Sequence, residues 1–171
     1  MPTAFVAMLL IAFCNCAKPN GQFWIDGLAL PPGSNVSSRQ ETPDDQYVAF
    51  SYPDSWEDVE AYFDTAFEPL GYKEADADDV AAFLHEKHHS WDDAQLKQEE
   101  ADVDKKLADL TGLEHPKETV FTKTSSSYIV YFVEMKQTEP GRPAFAVYVS
   151  GPAPKVKPDT TPRMPELTPQ Q

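Results

Sequence analysis

Residues 128–135, YIVYFVEM, decide the fold class of this chain. The run is rich in β-branched and aromatic residues, and it stays apolar on both of its alternating faces almost to its end. A strand of that kind must be covered on both sides, or be paired with another chain, so it belongs at the centre of a sheet. Serines at 125–127 precede it, and Glu139-Pro140-Gly141 follows it. Such punctuation marks turns, and the short spacing to the next apolar run (residues 144–150, AFAVYVS) implies an antiparallel hairpin. Residues 119–123 give a shorter strand on the other side.

Upstream, residues 46–52 (QYVAFSY) are rich in β formers and bounded by Asp45 and Pro53, which predicts another strand. Phe23-Trp24-Ile25 and Leu28-Ala29-Leu30 read as strand material ahead of the turn Pro31-Pro32-Gly33-Ser34, and residues 35–45 read as polar and irregular. Between residues 53 and 71 lies the clearest helix. Ser55 and Asp58 have capping-box spacing. Trp56, Val59, Phe63, Phe67 and Leu70 form one apolar face, and Pro69 and Gly71 end it. That aromatic stripe is the signature of a helix packed on a sheet. Residues 78–88 predict a second helix. Ser90 with Asp93 suggests a fresh start for a third, which carries Leu96, Val103, Leu107 and Leu110 and stops at Gly112. Its sparse stripe suggests an exposed or partner-facing helix.

The fold expected from this order is α+β: an antiparallel sheet of about four to five strands packed by one amphipathic helix, with a two-helix insertion at residues 76–111. Its limits are residues 23–151, after a linker at 18–22. Residues 152–171 are Pro-rich and polar and read as a disordered tail.

Residues 4–14 (AFVAMLLIAFC) are uninterruptedly apolar. The run is too short to cross a bilayer and suits the core of an export signal, so residues 1–17 are expected to be a signal or lipoprotein segment. Cys14 and Cys16, the chain's only cysteines, stand at its end. One of the two is the expected lipidation site, although Phe13 before Cys14 and Asn15 before Cys16 depart from the small residues of a lipobox, and the n-region lacks Lys and Arg. The expected location is the cell envelope, membrane-anchored or periplasmic or extracellular. An exported domain with no disulfide suits a bacterial envelope better than a eukaryotic secreted scaffold.

Charge narrows the partners. Asp and Glu number 28 against 14 Lys and Arg, for a net charge of -14 in 171 residues. Nucleic acid is not an expected partner, because binding phosphates takes clustered cations. The expected partners are a membrane, through the N-terminal lipid or anchor, and another protein. No cofactor is expected.

His85-Glu86-Lys87-His88-His89 satisfies H-E-x-x-H. On one helix face, His85 and His89 could hold zinc with Glu86 as general base, which makes a zinc-dependent hydrolase the alternative function. Lys87 is charged where zinc peptidases are usually uncharged, no third His follows at the metzincin spacing, and the Ser90 start would end the helix at the motif. Histidines in a last helical turn are explained by the helix dipole alone. No catalytic residue is therefore assigned. Asp76, Asp78 and Asp79 lack the glycine and closing Glu of a calcium loop. A third reading is a binder of a small apolar ligand between helix and sheet.

Leu30-Pro31-Pro32-Gly33-Ser34, Phe50-Ser51-Tyr52-Pro53, Val59-Glu60-Ala61-Tyr62-Phe63 and Leu70-Gly71-Tyr72 together resemble small exported bacterial lipoproteins. Those show a Pro-Gly turn, a strand, an aromatic helix and a strand meander. The resemblance covers residues 28–150, implies compartment and fold, and carries no functional residue with it.

Overall fold

The computed structural model describes residues 23–137, 141–152 and 154. The N-terminal segment with both cysteines, and nearly all of the Pro-rich tail, lie outside the described residues.

The fold is α+β. Six strands, β1 (Asn35–Glu41), β2 (Asp45–Ser51), β3 (Lys73–Ala75), β4 (Glu118–Thr122), β5 (Ile129–Met135) and β6 (Ala144–Ser150), form one antiparallel sheet. Their order is β1-β2-β6-β5-β4-β3. Three helices, α1 (Trp56–Phe67), α2 (Ala77–Lys87) and α3 (Asp93–Thr111), complete the fold. As expected, β5 is internal, between β6 and β4, and its first five residues are buried.

Six strands replace the expected four to five. β1 arises from the stretch read as irregular. Its sequence, NVSSRQE, has no apolar alternation because it is an edge strand with mostly exposed side chains. Pairing with β2 holds it, through a turn in which the Thr42 hydroxyl accepts from the Asp44 and Asp45 amides at 3.2 and 3.1 Å. Polar side chains on such an edge discourage pairing with other chains. β3, at three residues, is too short to leave a pattern. Conversely, residues 23–30 form no strand. Phe23, Ile25 and Leu28 are buried, but as a loop tucked over the core, turning where the Leu28 amide donates to the Ile25 carbonyl at 3.2 Å. Trp24 donates its amide to Oε1 of the fully buried Gln46 at 3.0 Å.

α1 covers one sheet face. Its Ser55–Asp58 capping box forms as expected, and Trp56, Val59, Phe63 and Phe67 are buried. The interface is largely aromatic: Trp56 stacks on Phe132 at 4.3 Å and Phe67 on Phe121 at 4.4 Å, with Phe50, Phe63 and Phe145 between. A short 3₁₀ turn (Glu68–Leu70) ends at Gly71, whose φ of 78° lies in the left-handed region glycine tolerates.

The other face corrects the expectation of one packing helix. α2 and α3 are not an appended insertion. They cover Tyr47, Ala49, Tyr131, Val133, Ala146 and Tyr148 with Phe83, Leu84, Leu96 and Leu107. α3 is therefore not exposed throughout: Leu96, Leu107 and Thr111 are buried. It starts two residues later than Ser90 suggested, at an Asp92–Gln95 capping box. Three contacts anchor it: the Tyr47 hydroxyl donates to the Leu110 carbonyl at 3.1 Å, the Lys136 amide donates to the Thr111 carbonyl at 3.0 Å, and Lys106 pairs with Asp45. Burial works to lower the Lys106 pKa, yet Asp45 and Tyr148 hold it above the ordinary lysine value. No helix among the described residues is long and apolar enough to cross a membrane.

Candidate binding cleft

The histidine cluster sits where α2 stops. The helix closes at His88, whose φ and ψ of -125° and 62° are not helical. His89 therefore lies beyond the helix, and His85 and His89 do not share a helical face. His85 instead stands 4.0 Å from Asp93. His88 stacks on Trp91 at 3.6 Å with the rings 6° apart, and the Trp91 amide donates to the His88 carbonyl at 2.8 Å. This is the joint between two helices. Among the described residues no group of three or more His, Cys, Asp or Glu side chains is placed to hold a metal ion. Cys14 and Cys16 lie outside the described residues.

A cleft of about 370 Å³ opens elsewhere, where α2 and α3 diverge above β3, β4 and β5. Its size falls in the range of small-molecule sites. Val80, Val103 and Val120 supply apolar wall, and Glu74, Glu100, Asp104 and Glu118 supply carboxylates. Glu100 and Asp104 are four residues apart on α3, so they project from the same side of the helix. Glu118 opens β4, and Glu74 comes from β3 beside it. Asp76 also lines the cleft, but its side chain caps α2 by accepting from the Asp79 amide at 2.9 Å. None of Glu74, Glu100, Asp104 and Glu118 forms an ion pair among the described residues. Among the described residues no Lys or Arg lines the cleft. Desolvation, and then Asp104, push the Glu118 carboxyl above the usual carboxylate range.

Tyr131 forms the floor. It is only 7% exposed, packed 5.7 Å from the Tyr148 ring. Burial first, and then Glu118, Tyr148, Glu99 and Asp104, push its pKa far up, so the hydroxyl stays protonated. On the same sheet face Tyr47 has its carbonyl partner and Tyr148 has Lys106 at 5.2 Å from its ring. The Tyr131 hydroxyl makes no hydrogen bond among the described residues. The buried side-chain polar atoms without a partner among the described residues are Ser34 Oγ and Trp56 Nε1, so the Tyr131 hydroxyl is not a buried orphan and opens to the cleft. A second depression of about 330 Å³ lies across Asp104 and Glu118, lined also by Leu107, His115 and Pro116.

Sequence reasoning missed this cleft. The one available signal was a tyrosine inside an otherwise apolar run, since its hydroxyl needs a partner wherever it is buried. The carboxylates carried no signal, because which of 28 acids meet depends on how α2 and α3 cross the sheet.

Comparison with known protein families, curated proteins and solved structures gives no match to this chain.

Proposed function

We propose that the chain is an exported lipoprotein of the bacterial envelope, tethered at Cys14 or Cys16, whose α+β domain binds a ligand and does not transform it. The tether rests on the apolar run of residues 4–14 ending at the chain's only two cysteines. The binding role rests on one observation: a cleft of small-molecule size, part apolar wall and part carboxylates that form no ion pair among the described residues. Its seat between α2, α3 and the sheet gives the helical pair a purpose beyond covering the core.

Intact mass spectrometry of the chain recovered from bacterial membranes tests the tether. The mature protein should begin at one of the two cysteines and carry acyl mass, and either Cys14→Ser or Cys16→Ser, not both, should abolish it. Unacylated protein in the soluble fraction would refute the tether. Ligand capture is better tested with point variants than by deleting residues 76–111. That deletion would strip the cover from Tyr47, Val133, Ala146 and Tyr148 and unfold the domain.

A further inference from the structure

We propose that the face around Trp24, Leu70 and Tyr128 is where the domain rests on the bilayer, with its aromatic rings at the level of zwitterionic headgroups. This face goes beyond the tether reading above and rests on it. A depression of about 350 Å³ marks it, lined by Trp24, Leu70, Tyr72, Lys123 and Tyr128 among others. The loop that carries Trp24 is pinned at both ends. The Trp24 amide donates to Gln46, and the Tyr62 hydroxyl bonds the Ala29 and Leu30 carbonyls at 3.2 and 3.1 Å. Leu70 packs so close to the loop that a Cβ at Gly27 would stand 3.1 Å from Leu70 Cδ2. Trp24 and Tyr128 are half-buried with ring centroids 6.1 Å apart. Each ring joins an apolar body to a polar tip, the combination that settles at a membrane–water interface. Lys123 donates to the Leu70 carbonyl at 2.8 Å and keeps further N–H donors for a phosphate oxygen.

Reach and charge choose a bilayer as the occupant. The described domain begins at Phe23, seven positions after Cys16 and nine after Cys14. That stretch spans at most about 25 Å from Cys16 or about 32 Å from Cys14. A domain of this size is roughly 35 Å wide. A lipid on either cysteine therefore holds the end where the chain enters, with Trp24 beside the entry, next to the bilayer. Charge agrees. In a chain of net charge -14, the charged residues lining this depression are one acid and one base, Asp26 and Lys123. The cleft between α2 and α3 has carboxylates and, among the described residues, no Lys or Arg. A balanced aromatic face suits zwitterionic headgroups, whereas the acidic remainder stays in water.

The acylated full chain in phosphatidylcholine vesicles, with and without bromine on the upper acyl carbons, tests the face. Trp91→Phe leaves Trp24 as the reporter, and Trp24→Phe leaves Trp91, while the buried Trp56 stays constant in both. Circular dichroism checks that both fold. Bromine should remove about threefold more emission from the Trp91→Phe chain than from the Trp24→Phe chain, because interfacial indole lies beside the upper acyl carbons. Equal quenching of both chains, or quenching of neither, would overturn the face. Photolysis of a Tyr128→benzoylphenylalanine chain in native membranes should give lipid adducts. An adduct to a second copy or to another protein in their place would name a different occupant and overturn the proposal. Mass spectrometry separates the two levels. Protein from membranes without acyl mass would remove the tether and this face with it. Acyl mass without Trp24 quenching would remove the face and leave the tether standing.

Discussion

Leu107→Ala measures whether the helical pair is part of the core. Leu107 is 1% exposed and sits on α3 against the sheet face that α1 does not cover. The substitution removes three buried carbons, worth about 2.5 kcal/mol of transfer free energy at roughly 0.8 kcal/mol each. The cavity left behind adds to this, because β5 and β6 are paired on both edges and cannot collapse inward, which brings the loss to about 3–4 kcal/mol. A surface leucine on an appended helix would cost about 0.5 kcal/mol or less. With a urea slope of about 2 kcal/mol/M, the midpoint should fall by roughly 1.5–2 M. Trp56 is the useful probe, because it lies on the opposite face, stacked on Phe132. In a background carrying Trp24→Phe and Trp91→Phe, its fluorescence transition should move together with the helical circular dichroism. β2, β5 and β6 carry side chains into both cores, so the two faces should melt as one unit. A loss under about 1 kcal/mol, or helix melting with the Trp56 transition unmoved, would refute the account of α2 and α3 as a second core layer.

Gly151→Ala should destabilise the domain by about 1–3 kcal/mol, read by thermal denaturation, because φ is 145° there and the new Cβ would press on the Ser127 carbonyl and lie 2.8 Å from the Tyr128 ring. Burial pushes the Tyr47 pKa from 10.0 to about 12, so its phenolate absorbance should appear two pH units late and be lost as a late step in Tyr47→Phe. The folded chain then binds that proton more tightly than the unfolded chain. Stability should therefore be intact below pH 10 and fall as pH rises toward 12, with Tyr131 acting in the same direction. Zinc in the chelated, repurified protein should stay far below one per chain, and stoichiometric zinc that His85→Ala removes would overturn the reading of the histidines as a helix joint.

Sequence alone determined the elements whose periodicity matches a single environment. β5, β6 and α1 could be read because every residue of their buried faces is apolar, and the α1 capping box is a local feature. It also determined the α+β class. Tertiary structure decided the rest. β1 is a strand only because β2 offers it hydrogen bonds, and residues 23–30 are a loop only because the Gln46 side chain and the aromatic core hold them without a ladder. α3, with its sparse stripe, looks exposed in sequence but is half of a second core, because few leucines suffice when tyrosines on the sheet supply the opposing area. The cleft belongs wholly to this second category. Glu74, Glu100, Asp104, Glu118 and Tyr131 come from four elements, and no short-range pattern relates them. Local periodicity records how each segment meets water or core, whereas a site records which segments meet one another, and that is settled only when the chain packs.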